Sequence, residues 1–246
     1  MVDTLTILEF PFAKVPQFSG RDIAYTTGDE RLTPFFKYPV QLESFGQVME
    51  DKGKENIDRS LLVEALQKQY QHLPDTQLAL SQIVALREHN TFTVVTAHQP
   101  SLFTGPLYFI YKIASAINLS RSLNAHYPHH QVVPVFVMGG EDHDFEEINH
   151  LHLFGKTLTW ENEESGATGR MSTKTLQPVL DSLSEILGTS PQANELCSIL
   201  QDVCDHYPTY GQAMQALVHQ LFGQEGLVVL NMDEPSLKRA FIPHLR

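Results

Sequence analysis

The stretch VMGGEDHDFEEINH, residues 137–150, places two glycines and a group of acidic and imidazole side chains directly after an apolar run. Neighbouring carboxylates repel one another, so such a group forms either a solvated turn or a site whose ligand compensates the charge. Asp142, His143 and Asp144 are the candidate catalytic residues. Two carboxylates and an imidazole can hold an ammonium group, bind Mg²⁺ or take a proton from an amine, and the glycines would allow a ligand close to the backbone.

A metal centre is an alternative use of these side chains, with His150 and His152 as further candidate ligands. The sequence has no HExxH pattern or comparable ligand spacing around them. We therefore predict no metal ligands. A metal-dependent hydrolase or deacetylase that uses Asp142, His143 and Asp144 nevertheless stays open as an alternative function.

A second polar loop, TAHQPSLFTG, precedes the apolar segment PLYFIYKIASAINLSRSL. We predict a helix that begins at Pro106 with Gly105 as its N-cap, so that its free backbone N–H groups, Thr104 and Lys112 bind a phosphate or carboxylate. The alternative is that this segment is only a favourable helix start. His98 in the same loop either donates to a phosphate or caps the preceding strand.

Two short apolar runs must position these loops. TFTVV comes before the first loop, VVPVFVMGG comes before the acidic group, and the predicted helix lies between them. Strand, helix and strand in this order form a βαβ unit with parallel strands, and continuously apolar runs predict strands that are covered on both faces. Because ligands bind beyond the carboxyl ends of such strands, the two polar loops should face one cleft.

The remaining segments predict a mostly helical region at residues 1–90 that packs on a core at residues 91–246. Helical spacing marks LLVEALQKQYQHL and a following helix that is capped by Asp75. A helical insertion spans residues 173–222 approximately, in three helices. They begin near Thr175, Pro191 and Tyr210.

Shorter patterns complete the prediction of secondary structure. Asp144 and Glu147 have capping-box spacing, and LHLF and TLTW predict a hairpin around Gly155-Lys156. GRMSTK predicts a flexible glycine-rich turn. GLVVLNMDEP predicts another buried strand, and SLKRAFIPHLR predicts a further helix.

Composition limits the classes of partner. The 246 residues are 42% hydrophobic and carry a formal net charge of −12, with no block of Lys or Arg. Duplex nucleic acid and anionic membranes are therefore poor partners. We expect a cytoplasmic protein, because the sequence has neither a signal-peptide pattern nor an apolar run of membrane-spanning length. Cys197 and Cys204, seven residues apart in one predicted helix, are expected to be small buried residues rather than a disulfide.

Taken together, HQPSLFTGPLYFIYK and VPVFVMGGEDHDFEEINH resemble the paired signatures of the cysteine-adding enzymes of bacillithiol synthesis, the BshC family. Both motifs occur in the family's order and spacing, and weaker similarity, including FFKYP and GLVVLNMDEPSLKR, extends over essentially the whole chain. His98 and Ser101 stand where many relatives have Gln and Gly. The resemblance implies an α/β fold: a Rossmann-like parallel sheet core related to class I aminoacyl-tRNA synthetases, with helical insertions.

The resemblance also implies a longer protein. Members are about twice as long as this chain, so the core is expected to be truncated to its first half. The C-terminal coiled coil through which full-length members form homodimers would be absent. A non-catalytic fragment is therefore another alternative for the chain as it stands.

The reaction that the resemblance implies joins the carboxyl group of cysteine to the amine of glucosaminyl-malate, with ATP activating the carboxyl group and Mg²⁺ as a possible companion. His98, Thr104, Gly105 and Lys112 would then bind the nucleotide. Asp142, His143 and Asp144 would position an amine and accept its proton. Gly140, Glu141 and Asn149 are the candidate substrate-binding residues.

Overall fold

A computed structural model of the chain describes residues 7–245, without the side chain of residue 244. The chain divides into two units, Met1–Glu55 and Asn56–Arg246. In the first unit, the described part contains two helices, α1 (Gly20–Thr26) and α2 (Phe45–Lys52). Ser19 forms a reciprocal capping box with Asp22 at the start of α1, which satisfies backbone N–H groups that the helix itself leaves free. Met49 is the one buried apolar residue among the described residues of this unit.

The second unit contains the sheet and the remaining helices. In chain order its elements are α3 (Arg59–Gln69), α4 (Gln77–Ala85), β1 (Thr91–His98), α5 (Tyr108–His126), β2 (Gln131–Met138), α6 (Phe145–Ile148), β3 (His150–Leu153), β4 (Lys156–Thr159), α7 (Gln177–Leu187), α8 (Pro191–His206), α9 (Tyr210–Phe222), β5 (Val228–Asn231) and α10 (Pro235–Phe241). Helices α7, α8 and α9 lie between the hairpin and the last strand and begin close to the three predicted helix starts. No helix in the described part of the chain is long and apolar enough to cross a membrane.

The central sheet has the strand order β1, β2, β5, and both pairings are parallel. The βαβ unit formed by β1, α5 and β2 is therefore confirmed, as is the α/β class. Strand β2 lies in the middle of the described sheet, and its residues are buried except for Gln131 and Val137, which are half-buried. This burial explains its continuous apolar run, because both faces of a middle strand are covered.

The prediction that β1 is also covered on both faces was wrong. Its residues alternate in exposure along the strand, and the Val95 side chain is 57% exposed. Strand β1 lies at the edge of the three described strands, with α5 on one side. A strand that is covered on one face alternates between buried and exposed positions, and an apolar residue such as Val95 does not reveal which face it occupies.

Helix α3 is attached to β5 by side chains rather than by sheet pairing. The Gln69 amide both donates to the Asn231 carbonyl and accepts from the Asn231 N–H, each at 2.9 Å. The Tyr70 hydroxyl accepts from the Val229 N–H at 2.7 Å. The helix thus satisfies backbone groups along the free edge of β5, which would otherwise be costly to bury.

Helix α9 and Trp160 belong to the buried core of the second unit. Nine of the 13 residues of α9 are buried. The Trp160 ring is completely buried against Tyr210 and Phe145, with ring centroids at 4.7 and 5.0 Å, and its indole N–H donates to Thr175 at 2.7 Å. Packing of the helical insertion against this ring fixes the position of the hairpin that follows α6.

Four local predictions need correction, three of them by one or two residues. Helix α5 begins at Tyr108 with Leu107 as N-cap, so Gly105 is not its cap; Phe103, Thr104 and Gly105 all have positive φ angles, of 47°, 74° and 51°. Such a turn ends the run of extended backbone before the helix can start. Thr76, not Asp75, precedes α4, because Asp75 itself has a φ angle of 50°.

The hairpin is confirmed, but its two-residue turn is Phe154-Gly155, since Leu153 pairs with Lys156. Both turn residues have positive φ, 49° and 75°, as the hairpin turn that matches strand twist requires. The capping box predicted for α6 does not form: Asp144 is the N-cap but makes no side-chain capping hydrogen bond.

Candidate functional site

The two polar loops emerge side by side from neighbouring strands, as predicted. His98 and Met138 are paired at the ends of β1 and β2, and the Gly139 N–H donates to the His98 carbonyl at 3.0 Å. The segment that follows His98 and the acidic group that follows Gly139 therefore share the carboxyl edge of the sheet, where α/β proteins bind ligands.

Gln99 connects the two loops. Its Nε2 donates to Asp142 Oδ2 at 2.8 Å and to Glu147 Oε2 at 2.6 Å. Because both contacts share one nitrogen, the two carboxylate oxygens cannot be farther apart than about 5.4 Å. The sequence prediction missed Gln99 and Glu147 as site residues. The sequence feature that could have indicated Gln99 is its position directly after the end of β1.

The carboxylate of Asp142 is held by the backbone of its own loop as well as by Gln99. Asp142 Oδ1 accepts from the Asp144 N–H at 3.0 Å. This hydrogen bond, followed by that from Gln99, holds the pKa of Asp142 below its ordinary value. A carboxylate with a lowered pKa is a weaker base, so this geometry suits Asp142 to anchoring more than to proton transfer. His143 and Asp144 are exposed.

Gly140 is buried because protein atoms occupy the space next to its Cα. A Cβ placed there would lie 2.5 Å from Asn231 Oδ1. Gly169 approaches from a third segment, where its N–H donates to the Gly140 carbonyl at 2.8 Å, and the Thr168 N–H donates to the Asp142 carbonyl at 2.7 Å. The GRMSTK segment is thus attached to the acidic loop through its own first residue, Gly169. The space beside the Gly140 backbone is occupied by Asn231 and Gly169.

Glu141 and Asn149 lie on either side of α6 and differ in their partners. Glu141 Oε2 is buried without a hydrogen-bond partner. Asn149 is buried, its carbonyl accepts from the Trp160 N–H at 2.7 Å, and its Oδ1 is 3.1 Å from His150 Nδ1. These contacts make Asn149 a support for the hairpin, while its role and that of Glu141 in substrate binding stay predictions.

A cleft of about 830 Å³ lies between the 98–110 segment and residues 147–153, and we call it the hairpin cleft. His98, Thr104 and Gly105, three of the predicted nucleotide-binding residues, line it. Glu147, His150 and His152 line the opposite side. The cleft therefore combines residues of both predicted loops with the hairpin.

His98 positions a tyrosine within this cleft. Its Nδ1 is 3.1 Å from the Gln99 carbonyl and 3.3 Å from Ser101 Oγ, and its Nε2 is 3.0 Å from the Tyr108 hydroxyl. Because a carbonyl can only accept, the contact with Gln99 places the proton on Nδ1, and Nε2 then accepts from Tyr108. The structure thereby shows a use of His98 that neither sequence hypothesis included.

Two backbone N–H groups of the predicted phosphate-binding loop, and the Lys112 side chain, are engaged by the protein itself. The N–H groups of Thr104 and Gly105 donate to the carbonyls of Ser101 and Leu102, at 3.1 and 2.7 Å. Lys112 Nζ donates to the Ala97 carbonyl at 2.8 Å and does not line the cleft. No lysine or arginine is among the described residues that line it. The hairpin cleft therefore offers a triphosphate no lysine or arginine from its described lining, and the nucleotide-binding assignments stay predictions.

Metal ligation receives no geometric support within residues 7–245. No group of three or more His, Cys, Asp or Glu side chains is arranged there to hold a metal ion. His150 and His152 lie with ring centroids 5.3 Å apart, and His152 Nδ1 is 2.9 Å from Thr157 Oγ1. Cys197 and Cys204 lie on α8, as predicted, and both are free and partly buried; burial raises the pKa of Cys204 to about 12.

Comparison with known proteins places this geometry in a family. A family model described as "Bacillithiol biosynthesis BshC, N-terminal Rossmann-like domain" matches residues 13–246. A protein of Flavobacterium psychrophilum named "Putative cysteine ligase BshC" is 39% identical over 238 residues, which is 96% of this chain and 45% of that protein. The protein of the same name in Flavobacterium johnsoniae is 40% identical over 90% of this chain and 42% of its own length.

A more distant relative of the same name, from Bacillus cereus strain G9842, is 28% identical over 97% of this chain and 46% of its own length. The chain therefore spans somewhat less than half the length of the curated relatives it matches.

Proposed function

Because the chain belongs to the BshC family of bacillithiol biosynthesis, through the N-terminal Rossmann-like domain, we propose that its protein joins the carboxyl group of cysteine to the amine of glucosaminyl-malate. The observation that carries this proposal is the Gln99 amide, which holds Asp142 and Glu147 together beside a cleft in which an amine could bind. The whole protein's activity is part of the proposal, as are its cytoplasmic location and homodimeric state.

Amide formation requires an activated carboxyl group, because a free carboxylate is a poor electrophile and hydroxide is a poor leaving group. We propose ATP as the co-substrate that supplies this activation, accompanied by Mg²⁺. No phosphate site is assigned to Thr104, Gly105 or Lys112, since their N–H groups donate to protein carbonyls.

The residues of this chain act on the amine. When the amine nitrogen attacks the activated carboxyl carbon, a C–N bond forms, the activating group departs with its electron pair, and the nitrogen must lose a proton. A carboxylate within hydrogen-bond reach can accept that proton. Glu147 lines the cleft and Asp142 does not. The pKa of Asp142 is below its ordinary value, which makes Asp142 a weaker base than an ordinary aspartate. In this proposal Asp142 holds Gln99, and Gln99 holds Glu147.

The proposed function is tested with the protein from the complete reading frame that contains this chain, and with the 246-residue chain beside it. Each is incubated with cysteine, glucosaminyl-malate and ATP, and products are identified by mass spectrometry. We expect bacillithiol, together with AMP or ADP, only when all three compounds are present. Absence of a cysteine adduct from the complete protein would contradict the proposed function.

Two variants test the residue assignments in the same assay. His143→Ala should reduce the rate, because His143 is predicted to act on the amine. Lys112→Ala should leave the rate unchanged, because Lys112 Nζ donates to the Ala97 carbonyl and no phosphate site is assigned to it. The opposite result for either variant would contradict that residue's role without affecting the proposed reaction.

A further inference from the structure

We propose that the hairpin cleft is the subsite of the amine-bearing sugar, with Tyr108 as the platform for the sugar ring and Glu147 as the group that receives the amine. This inference rests on the proposed function, and it assigns the cleft to the acceptor substrate and not to the nucleotide.

The charges in the cleft favour an amine over a polyphosphate. Glu147 is the one carboxylate among the described residues that line it, and no lysine or arginine is among them. A triphosphate would bring several negative charges next to Glu147, which is unfavourable. Lys112 Nζ lies 5.8 Å from the centroid of the Tyr108 ring, but it donates to the Ala97 carbonyl and is not among the residues that line the cleft. The ammonium group of the sugar would compensate the charge of Glu147. The two malate carboxylates would meet the same lack of lysine and arginine in the lining, so the assignment covers the amine and the sugar ring and not the malate part.

Glu147 is also held in a definite position. It is exposed, yet its Oε2 accepts from Gln99 at 2.6 Å, so its carboxylate does not move freely on the surface. An ionised carboxylate can accept several hydrogen bonds, and Oε1 therefore remains available for a ligand. Hydrogen bonds between charged partners are the strong ones, which makes this the natural contact for an amine.

Tyr108 offers the other half of a sugar site. Its side chain lines the cleft, and the residue is 53% exposed although its hydroxyl has a partner. His98 holds that hydroxyl, and the imidazole and phenol ring centroids are 5.2 Å apart. An aromatic ring with an apolar body and a polar end suits a pyranose, which has an apolar C–H face and a polar edge.

The remaining lining residues are consistent with a small polar molecule rather than a purely apolar one. Leu107, Ile110, Leu151 and Leu153 supply apolar surface. His150 faces the same cleft, and because its Nδ1 contacts the Asn149 amide oxygen, its Nε2 is left as an acceptor for a hydroxyl group. Apolar walls with a few convergent polar groups are typical of ligand sites.

Binding is measured by isothermal titration of the 246-residue chain with three probes: glucosaminyl-malate, its N-acetylated form and ATP. We expect glucosaminyl-malate to bind more tightly than the N-acetylated form, which cannot place a positive charge beside Glu147. Tyr108→Ala should raise the Kd for glucosaminyl-malate about tenfold or more. Tyr111→Ala is the matched control, because Tyr111 is 63% exposed on the same helix and does not line the cleft.

Glu147→Gln separates the contribution of charge from that of shape. This variant should bind glucosaminyl-malate about as weakly as the N-acetylated form and should leave binding of the N-acetylated form unchanged. The buried Trp160 provides a fluorescence check that each variant is folded. Failure of the folded chain to bind glucosaminyl-malate overturns the inference, as does equal binding of the two sugars or unchanged binding by Tyr108→Ala. Competition between ATP and the sugar, with equal weakening of both by Tyr108→Ala, would identify a nucleotide site instead.

A kinetic experiment distinguishes failure of this inference from failure of the proposed function. In the ligation assay with the complete protein, Tyr108→Ala should raise KM for glucosaminyl-malate and leave KM for cysteine unchanged. If product forms and both KM values are unchanged in Tyr108→Ala, the proposed subsite is wrong and the proposed ligase function is retained. If the sugar binds with the expected pattern but no ligation occurs, the proposed ligase function is wrong and the subsite is retained.

Discussion

The side chain of Gln99 donates from one nitrogen to two carboxylates, that of Asp142 in the loop after β2 and that of Glu147 in α6. An amide is suited to this position because it supplies two donors without adding a charge. Asp142 and Glu147 would otherwise repel each other at a separation of about 5.4 Å or less. The geometry of the proposed site therefore depends on a neutral donor at residue 99.

Gln99→Glu should destabilise the protein more than Gln99→Met, although Glu is closer to Gln in shape. The acidic variant places a third carboxylate beside two others, whereas Met only removes hydrogen bonds, each of which is worth about 1 kcal/mol or somewhat more for a charged acceptor. Urea unfolding at pH 7 measures the difference. Gln71→Glu, at an exposed position, is the control and should change stability by less than about 0.5 kcal/mol. The reverse order for the two Gln99 variants would contradict this role.

Asp233 should make stability depend on pH in the acidic range. Arg170 donates to both of its oxygens, at 2.5 and 2.8 Å, and Lys238 donates at 2.9 Å. The hydrogen bond from Arg170 is the main reason that the pKa of Asp233 is below its ordinary value. A carboxyl group whose pKa is lower in the folded state stabilises the protein above its unfolded pKa of about 3.9, and this contribution is lost as pH falls through the folded pKa.

Asp233→Asn should therefore reduce the free energy of unfolding more at pH 7 than at pH 3. Urea unfolding at both pH values gives the comparison. Glu185→Gln serves as the control, because Glu185 is exposed on α7, and it should show little difference between the two conditions. Equal destabilisation by Asp233→Asn at both pH values would show that the ion pair has no linkage to folding.

At the scale of elements, the carboxyl edge of the sheet is assembled by close contact between backbone segments. Gly140 after β2, Gly169 in the GRMSTK segment and Gly211 in α9 follow one another in space: a Cβ on Gly169 would lie 2.7 Å from the Gly140 carbonyl oxygen, and a Cβ on Gly211 would lie 2.8 Å from the Gly169 carbonyl oxygen. Backbone atoms cannot give way as the end of a flexible side chain can. The glycines thus set the distance between the acidic loop and the helical insertion.

Gly169→Ala should destabilise the second unit by about 1–3 kcal/mol, the usual cost of overpacking. Gly139→Ala is a matched control in the adjacent loop, because the nearest atom to its added Cβ would be 3.9 Å away, which is an ordinary contact distance. Trp160 fluorescence during urea unfolding reports the transition of this unit. Equal effects of the two substitutions would mean that the segments can separate without loss of stability.

At the scale of the whole molecule, the two units differ in how much apolar surface they bury. In the described part of the first unit Met49 is buried, while Ile7, Phe10 and Phe35 are 74%, 67% and 81% exposed. The second unit holds the remaining buried residues, including the fully buried Trp160. Since burial of apolar surface is the main source of folding free energy, protection against local opening should differ between the units.

Backbone amides of α2 should exchange hydrogen faster than those of α9, as measured by hydrogen–deuterium exchange with mass spectrometry. Only amides after the first four residues of each helix are compared, because the first four N–H groups of a helix have no acceptor within it. One residue of α2 is buried, whereas nine residues of α9 are buried. Equal protection of the two helices would contradict the link between burial and local stability in this chain.

The sequence by itself determined the α/β class, the βαβ unit, the hairpin and the three helices α7, α8 and α9, because each follows from periodicity or turn residues within a short segment. It also determined that the loops after β1 and β2 lie together, since parallel strands end at one edge. The motifs HQPSLFTGPLYFIYK and VPVFVMGGEDHDFEEINH were sufficient to indicate the family.

Only the tertiary structure decided which side chains meet at that edge. Gln99 reaches Glu147 across 48 residues, and Gly169 meets Gly140 across 29, so no local pattern could reveal either contact. The exposed face of β1 depends on what packs against it, and the turn at Thr104 depends on how the chain must pass from β1 into α5. These features are set by packing between distant segments, whereas periodicity describes only one segment at a time.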